Sequence, residues 1–380
     1  NKYKKPIEFA QLLLNCEPQF WEPIDVCIVL RILGFKMSMG YQAKILNTMM
    51  TQIVGHEYAS QFIWYSNDIK ECNNDEFYNS VRDIYGLMDD THLPQTRFIN
   101  NSDIKSDYDV NMDIKLDNND GSNAWVINGN LTNTGKPILC GDPHLTLQQP
   151  NTFYYIHMDS NEGIKLTGVC IAGLPGIVIG HNSDCAFTIT LGLCNTSDIY
   201  VERFKDKNSN EYEMDGEFIK AEVRKEVIKI KGSNDYVLNV METVHGPVLL
   251  PTDYDVGVES GPYSHLINTE LEEKELKNDT EYDLRYSICA TFLKPGTGYM
   301  DLFIDYLRAT NAKALKAILR QMSWPNLNWV FADNKGNVGW TTNGLIPIHD
   351  DIKTYDPTLV LPGWMSKYTW NKYIDIELLP

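Results

Sequence analysis

The chain has 380 residues, of which 43% are hydrophobic and 22% charged, and its formal net charge is −18. This composition indicates a folded protein with one large core or two ordinary ones and excludes a disordered chain. The negative charge argues against nucleic acid or an anionic membrane surface as a partner, because both attract basic patches. The longest apolar run, VCIAGLPGIVIG at 169–180, is too short and too broken by glycine and proline to span a membrane.

The eight cysteines contain no C-x-x-C pair and lie mostly in apolar surroundings. We interpret them as ordinary buried thiols and not as a disulfide framework, so they do not fix the cellular compartment. The sequence begins without Met or a signal peptide, as either a processed product or a partial sequence would. Four Asn-x-Ser/Thr sequons are close to chance in a chain this rich in asparagine, so we do not interpret them as glycosylation sites.

Residues 1–98 are predicted to be mainly helical, since apolar residues recur at helical spacing with interruptions at Pro18 and Pro23. Residues 99–121 are predicted to form an exposed acidic connector, because six aspartates are mixed there with asparagine and serine. From there on, residues 122–380 change to a strand pattern with some helix. The order of helices, connector and strands predicts an α+β fold.

Several short apolar runs in the second part end at turn residues. A strand AWVI ends at Asn128-Gly129, and a second strand, PILCGDPHL, is expected to stop at Asp-Pro. Hairpins are predicted around 232–235 and 333–336. A helical stretch is predicted near 300–322, with Asn311 as its N-cap.

Common catalytic motifs are absent from the sequence: it has no G-x-S-x-G, no H-E-x-x-H and no Walker loop. Three histidines, His181, His245 and His349, are too scattered to indicate a metal site. We interpret each of them as structural.

Ser122 stands where the acidic connector meets the first strand. A serine at the start of a chain could use its own α-amine, with a pKa of roughly 7.7–8.0, to take the hydroxyl proton. This would require cleavage of the Gly121-Ser122 bond, and glycine tolerates the strained backbone that exposes its carbonyl. Judged on spacing alone, the pair is equally an ordinary junction between a loop and a strand.

The stretch GSNAWVINGNLTNTGKPILCGDPHLTLQQPNTFYYIHM resembles the start of the β-subunit in the penicillin acylase family of N-terminal nucleophile hydrolases. The resemblance continues in order through VCIAGLPGIVIGHNSDCAFTIT, TVHGPVL, LNWVFADNKGNVGW and GLIPI, and covers about residues 6–380. It implies an αββα sandwich of two stacked, mainly antiparallel sheets that is incomplete at both ends. Residues 1–98 would be an α-subunit portion, 99–121 the spacer and 122–380 a β-subunit portion.

The resemblance also implies roles for single residues. Ser122, exposed by autoproteolysis, would attack an amide carbonyl and form an acyl-enzyme that water hydrolyses. The Asn328 side-chain amide and the Leu191 backbone N–H would stabilise the oxyanion, each by about 3–4 kcal/mol. His144, in GDPHL, would contact the nucleophile's amine and could tune it or shuttle a proton. The alternatives are ordinary turn or sheet-edge roles for Asn328 and His144.

An apolar pocket would receive the acyl group. Five aromatic residues are candidates for its wall, with ordinary core packing as the alternative for each. They are Trp125, Phe153, Tyr154, Tyr155 and Phe187.

Two further features depart from the family pattern, the calcium site and the residue that follows GLIPI. The family's calcium site would fall on Asn195, Ser197 and Asp198, but Asn195 replaces an aspartate and Ala43 stands at the position of a helical glutamate. Because the loss of charged ligands weakens a site for a hard cation, we expect no cofactor requirement, with calcium as the weaker alternative. His349 stands where the family often has an arginine after GLIPI. The electrostatic support around the nucleophile would therefore differ from that in the family.

These observations predict an amidohydrolase that splits a small N-acyl amide into a carboxylic acid and an amine, like penicillin, cephalosporin or acyl-homoserine-lactone acylases. His144 favours aliphatic or polar acyl chains over phenylacetyl. The two segments would stay associated after self-cleavage, and the resemblance suggests an exported or periplasmic location. The main alternative is a catalytically silent or truncated relative that acts as a binding or structural module. A third possibility is hydrolysis of another bond at the same site.

Overall fold

The computed structural model describes residues 20–37, 43–45, 47–48, 51, 121–145, 147–251, 282–294, 299–348 and 356–380. Most of the helical portion predicted over 1–98 lies outside these residues. The acidic connector predicted over 99–121 also lies outside them, apart from Gly121, and so does His349. The domain boundaries drawn from the sequence therefore stay predictions.

The described helices are α1 (Pro23–Met37), α2 (Tyr299–Leu307) and α3 (Ala312–Leu319), and residues 43–45, 47–48 and 51 are also helical. Helix α1 begins at Pro23, whose fixed φ and missing N–H suit the first helical position. The helical stretch predicted near 300–322 is confirmed as two helices, α2 and α3. Asn311 caps α3 as predicted, by accepting a hydrogen bond from the Ala314 N–H at 2.9 Å. None of the described helices is both long and apolar enough to cross a membrane.

The strands of the described residues are β1 (Gly121–Ile127), β2 (Ile138–His144), β3 (Phe153–Asp159), β4 (Lys165–Ile171), β5 (Ile179–His181), β6 (Cys185–Leu191), β7 (Ser197–Phe204), β8 (Glu211–Met214), β9 (Glu217–Lys220), β10 (Glu222–Ile228), β11 (Tyr236–Glu242), β12 (Val248–Pro251), β13 (Asp283–Ala290), β14 (Leu327–Asp333), β15 (Val338–Thr342), β16 (Pro347–Ile348), β17 (Leu361–Pro362) and β18 (Lys372–Tyr373). The two hairpins predicted from turn residues are confirmed, as β10–β11 and β14–β15.

Two six-stranded sheets make up most of the described fold. Sheet 1 has the strand order β15-β14-β6-β5-β4-β3, and sheet 2 has the order β12-β13-β7-β8-β9 with β17 also pairing with β7. All of these pairs are antiparallel except β17 with β7. Three further pairs form separate two-stranded sheets, β1–β2, β10–β11 and β16–β18. The architecture is therefore mixed α and β, with mainly antiparallel sheets.

One face of sheet 1 is buried beneath the helices. Because side chains alternate along a strand, Phe187 on β6 and Trp329 and Phe331 on β14 point to the same side. There they meet Tyr306 of α2 and Leu315 of α3, and the Phe187 and Tyr306 rings pack edge to face at 5.3 Å between centroids. The opposite face of β6 and β14 meets the β1–β2 hairpin.

Sheet 2 has a separate core centred on β7. Residues 199–201 are fully buried, so both faces of this strand are covered. A segment near the C-terminal end lies across one face. Tyr200 Oη donates to the Tyr368 carbonyl, and Trp370 Nε1 donates to the Asp198 carboxylate, both at 2.7 Å. The polar groups inside this strand thus find partners within the core.

Strand β2 corrects one prediction from the sequence. We expected it to stop at Asp142-Pro143, but it continues through that step to His144. Among the described residues β2 pairs with β1 alone, and the free edge of a strand tolerates a proline because no N–H is needed there. The extension has a functional consequence, since it places His144 directly opposite Gly121.

Candidate active site

The predicted nucleophile lies at the open end of the β1–β2 hairpin. Antiparallel pairing sets Gly121 opposite His144 and Ser122 opposite Pro143. Exposure alternates along β1, and Ser122 is on its partly buried face. The serine side chain therefore lies on the face turned toward the rest of the protein, where it is still partly accessible to solvent.

The Ser122 hydroxyl contacts the peptide bond whose cleavage the sequence predicts. Its Oγ donates a hydrogen bond to the Gly121 carbonyl oxygen at 2.6 Å. A bond from this Oγ to the Gly121 carbonyl carbon would close a five-membered ring, so attack would be intramolecular and would need no diffusion. The predicted nucleophile and electrophile of an acyl shift therefore lie within one dipeptide.

The hairpin packs against sheet 1 with the face that carries Ser122. A Cβ added to Gly141 would collide with the Thr188 side chain, so the glycine allows β2 to approach β6 closely. Gly141 pairs with Ala124, which lies on the same face of β1 as Ser122. Ser122 is consequently on the hairpin face that is turned toward β6.

Asn328 lies on the face of sheet 1 that meets this hairpin. It pairs with Thr190 across β14 and β6, and Thr190 shares a face with Thr188, two residues earlier. The neighbouring Trp329 points the other way, into the aromatic core. The candidate nucleophile and the candidate oxyanion asparagine therefore belong to two surfaces that are packed against each other.

The Asn328 amide has a defined orientation. Its Oδ1 accepts a hydrogen bond from the Trp340 indole Nε1 at 3.1 Å, and its Nδ2 donates to the Leu191 carbonyl at 3.0 Å. Since an amide nitrogen carries two N–H groups, one donor remains after the bond to Leu191. Trp340 therefore fixes which end of the side chain presents donors.

The Leu191 N–H is the second candidate donor. Leu191 ends β6 and is 45% exposed. The next residue, Gly192, donates its N–H to the Asn326 carbonyl at 3.0 Å, so it faces β14. Because successive N–H groups of an antiparallel strand point in opposite directions, the Leu191 N–H points away from β14. It is therefore not used by the sheet and is close to the Asn328 amide.

The Asn343 side chain holds the start of β14 through hydrogen bonds. Its side chain is fully buried and accepts from the Leu327 N–H at 3.2 Å and from Trp329 Nε1 at 2.9 Å. Its Nδ2 donates to the carbonyls of Met322 and Pro325 at 2.9 and 2.7 Å. One asparagine thus holds the backbone on both sides of the turn that leads into Asn328.

Asn326 connects this support to the end of β6. Its Nδ2 donates to the Asn343 carbonyl at 2.5 Å, while its Oδ1 accepts from the Cys194 N–H at 3.1 Å. A Cβ on Gly192 would collide with the Asn326 amide, so glycine is required where the two segments cross. The two predicted oxyanion donors are therefore held by one hydrogen-bonded framework.

His144 lies on the opposite face of the hairpin from the Ser122 side chain. Its Nε2 is 2.8 Å from Asp142 Oδ2 and 3.4 Å from Asn123 Nδ2. Its Nδ1 would be 3.6 Å from a Cβ on Gly121. The structure thus places His144 next to Gly121, on the N-terminal side of the Gly121-Ser122 bond. Its contact with the Ser122 amine stays a prediction.

The five aromatic residues predicted to line an acyl pocket do not gather around one cavity. Phe187 is part of the aromatic core and Phe153 packs at its margin. Trp125 and Tyr154 are about half-exposed, and Tyr155 is 91% exposed. Their role at a substrate pocket stays a prediction.

An apolar cavity of about 100 Å³ lies between α1 and the helix-covered face of sheet 1. Its wall from α1 consists of Leu30, Leu33 and Met37. Ile189 and Leu327 complete it on the sheet side, and they are within two residues of Leu191 and Asn328. Nearly all of its wall is apolar, so it could hold a hydrocarbon group.

The residues predicted for calcium lie together, but their oxygens face a side chain of the protein. Lys44 Nζ donates to Asn195 Oδ1, to the Ser197 carbonyl and to Asp198 Oδ1. Ala43, the neighbour of this lysine, is exposed. No group of three or more His, Cys, Asp or Glu side chains that could hold a metal occurs among the described residues.

The buried thiols show no sign of a nucleophile. The six described cysteines are free, and Cys170, Cys185 and Cys289 are buried. Burial raises the pKa of Cys185 to about 11 and that of Cys289 to about 12. Both therefore stay protonated at neutral pH, in contrast to reactive cysteines.

Sequence reasoning missed Lys44, Trp340, Asn326 and Asn343. The β14–β15 hairpin could have revealed Trp340, since a hairpin register places it on the same face as Asn328. Lys44 is next to Ala43, where the sequence already indicated a change at the calcium site. The two buried asparagines carry no comparable signal, because most of their partners are backbone groups that are not adjacent in the sequence.

Comparison with known proteins identifies the family of this chain. The family model for penicillin amidase matches residues 1–380, so the chain belongs to the penicillin amidase family. An acyl-homoserine lactone acylase, QuiP, of Pseudomonas aeruginosa is 26% identical over 99% of this chain and 41% of its own length. Penicillin acylase 2 proenzyme of a Pseudomonas species is 24% identical over 99% of this chain and 43% of its own length.

The solved structure of the thermostable penicillin G acylase from Alcaligenes faecalis is similar with a TM-score of 0.53 and 20% identity, over 68% of this chain and 41% of that one. This likeness supports the same fold. The chain spans about two fifths of the length of the curated relatives named above.

Proposed function

We propose that this chain is the catalytic portion of an N-terminal nucleophile amidohydrolase in which Ser122 is both the self-cleavage residue and the catalytic nucleophile. One observation carries the proposal: the Ser122 hydroxyl is 2.6 Å from the Gly121 carbonyl oxygen, on a hairpin packed against the surface that presents Asn328. Membership of the penicillin amidase family supports it.

Maturation begins with the contact between Ser122 and Gly121. The Oγ attacks the Gly121 carbonyl carbon, its proton passes to the Ser122 nitrogen, and the peptide C–N bond breaks as an ester C–O bond forms. Water then hydrolyses the ester, which leaves a carboxylate on Gly121 and restores the hydroxyl. Ser122 now begins a chain and carries a free α-amine.

Catalysis repeats this chemistry on a substrate. The α-amine, which ordinarily titrates at about 7.7–8.0, takes the hydroxyl proton as Oγ attacks the amide carbonyl. The remaining Asn328 N–H and the Leu191 N–H donate to the developing oxyanion. The proton is delivered to the leaving amine, and water releases the acid from the acyl-enzyme.

The acyl group is proposed to be aliphatic, from the resemblance carried by His144. The apolar cavity beside Ile189 and Leu327 lies on the helix-covered face of sheet 1, opposite the face that carries Asn328, so it is not assigned to the acyl group. Relatives of this chain are named for acyl-homoserine lactone and penicillin acylase activity, and both names indicate small N-acyl amides. Aliphatic acyl chains are the first substrates to test, and His144 agrees with that choice. The αββα sandwich is the fold we propose around this site.

Mass spectrometry of the purified full-length protein tests the proposal. We expect two chains divided between Gly121 and Ser122, and one uncut chain from Ser122→Ala. A series of N-acyl amides with a chromogenic amine would then identify the acyl length. Folded wild-type protein that stays in one piece would overturn the proposal and favour a silent binding module.

A further inference from the structure

We infer that the Lys44 ammonium is a built-in cation that takes the place of calcium in this protein and joins the segment before Gly121 to the segment after Ser122. The inference concerns the cluster of Lys44, Asn195, Ser197 and Asp198. It rests on the proposed function only in that the two segments become separate chains.

All three donors of the ammonium have oxygen partners. Lys44 Nζ is 3.1 Å from Asn195 Oδ1, 2.7 Å from the Ser197 carbonyl and 2.5 Å from Asp198 Oδ1. A lysine ammonium has three N–H groups and no acceptor, so these contacts use its full capacity. The three oxygens come from four consecutive positions at the start of β7, which therefore forms a small receptor for one cation.

The charges in this cluster balance. Lys44 is 9% exposed and Asp198 is fully buried. The second oxygen of Asp198 accepts from Trp370 Nε1, and Asn195 Nδ2 donates to the first at 3.0 Å. One buried carboxylate thus faces one buried ammonium, with neutral donors around it. A buried charge is tolerated when it is paired and hydrogen-bonded in this way.

The same residues do not fit calcium. Calcium takes six to eight oxygen ligands at about 2.3–2.6 Å, usually with several carboxylates. Here the three oxygens converge on the Lys44 nitrogen, and Asp198 is the one carboxylate among them. A divalent ion would need the place that the ammonium fills, and it would bring a second positive charge against one negative charge.

The cluster is close in the chain to the proposed oxyanion site. Residues 192–196 connect Leu191, at the end of β6, to the start of β7. Asn326 holds this connection at Cys194, and Lys44 holds it at Asn195. The ammonium therefore helps to fix the loop that follows a proposed oxyanion donor, although it is not within the site itself.

Lys44 is part of a wider contact between the two segments. Thr48 Oγ1 accepts from the Val360 N–H at 2.9 Å, and Asn47 Nδ2 donates to the Thr358 carbonyl at 3.2 Å. These bonds join residues before the Gly121-Ser122 bond to residues after it. Lys44 supplies the ion pair at the centre of this junction.

Thermal unfolding of the full-length protein tests the inference. We expect the wild-type melting temperature to be unchanged by EDTA or by added calcium. Lys44→Met should lower it by several degrees, because Asp198 is then buried without a counter-charge. Adding Asp198→Asn to Lys44→Met should recover part of that loss. Lys165→Met is the matched control, since Lys165 pairs with Asp159 at an exposed site and should matter little.

Chemical rescue gives a second readout. Lys44→Ala leaves room for a small cation, and we expect ethylammonium to raise its melting temperature more than sodium does. A wild-type protein that loses stability in EDTA and regains it with calcium would overturn the inference, and so would a Lys44→Met variant as stable as the Lys165→Met control.

The same measurements in the Ser122→Ala background separate the two hypotheses. That variant should remain uncut, so its response to Lys44→Met reports the cluster alone. A wild-type protein that does not cleave itself would contradict the proposed function but would leave the stability result for Lys44 unchanged.

Discussion

Two polar sites lie on either side of the short connection between β6 and β7, and they differ in how completely their hydrogen bonds are used. At the end of β6, the Leu191 N–H points away from β14, and one N–H of Asn328 remains after its bond to the Leu191 carbonyl. At the start of β7, every donor of Lys44 has a partner and Asp198 is fully buried.

The difference indicates that the two sites have different roles. Donors that stay available next to a nucleophile can bind charge that develops in a reaction. Donors and acceptors that are all satisfied in a dry interior hold the chain in one arrangement. Substitutions near β6 should therefore change rates, and substitutions inside β7 should change stability.

The largest effect is expected at Ser122. Ser122→Ala removes the attacking oxygen and should abolish both self-cleavage and amide hydrolysis, while the melting temperature of the uncut protein changes little. Mass spectrometry and a hydrolysis assay measure the two losses. Ser233→Ala, in an exposed hairpin turn, is the control and should behave like wild type. Cleavage that persists without the Ser122 hydroxyl would exclude it as the nucleophile.

Asn328→Ala should lower kcat by about 10²–10³-fold, the usual cost of losing one oxyanion donor. The variant should remain folded, because the Asn328 side chain is at the edge of the core. Steady-state kinetics measures the effect. Asn334→Ala removes another asparagine of the same hairpin, with bonds to Asp184 and Ser183, and serves as its control. Equal rates in both variants would contradict the role of Asn328.

Glu202, on the same strand as Asp198, tests the expectation that substitutions inside β7 change stability. It is fully buried, and its Oε1 accepts from Thr243, His245 and Ser287 at 2.6–2.8 Å. Its Oε2 is buried without a hydrogen-bond partner among the described residues, so the expected loss comes from the Oε1 bonds. Glu202→Gln should cost about 2–3 kcal/mol of unfolding free energy, since bonds to a charged acceptor are replaced by weaker ones. Denaturant titration measures it, and the kcat of the folded fraction should stay near the wild-type value. A large fall in kcat would remove the contrast between the two sites.

Trp340→Phe should have a smaller effect on rate. It removes the indole N–H that orients Asn328 and should lower kcat by about tenfold with little change in KM, as expected for a positioning residue. In the Asn328→Ala background the same change should have almost no effect, because nothing remains to be oriented. An equal fall in both backgrounds would show that Trp340 acts through packing.

The smallest effect concerns pH. Burial alone would raise the pKa of Asp333. Hydrogen bonds from the Asn337 side chain and from the N–H groups of Ala312, Asn337 and Lys335 lower it by more than burial raises it, so the net pKa is below 3.8. Its contribution to stability is present above the unfolded pKa and is lost as pH falls through the folded one. Asp333→Asn should cost about 1 kcal/mol at neutral pH and flatten the acid limb of the stability curve. An unchanged limb would contradict this.

Local features of the sequence were enough to predict much of the β-rich part. Asn311 caps α3 because its side chain reaches an N–H three residues away, and both predicted hairpins turn at runs of Gly, Asn and Asp. The stop assigned at Pro143 was wrong, because a proline is permitted on a free strand edge and sequence alone does not tell which edge is free.

The candidate site was predictable only in part. Ser122, Asn328 and Leu191 were predicted from the order of the family's motifs along the sequence, and not from any geometric signal. Lys44 could not be paired with Asp198, since the two are 154 residues apart and nothing local links them. The cavity beside Ile189 also depends on how α1 packs against sheet 1.

The position of Lys44 has a consequence for the order of events during maturation. While the chain is continuous, Lys44 meets its acceptors at the high effective concentration of an intramolecular contact. If the Gly121-Ser122 bond is cut as proposed, re-forming this contact between separated segments would be an association between two molecules and would depend on their concentration. We therefore expect separately produced segments, 1–121 and 122–380, to assemble far less efficiently than the intact chain folds.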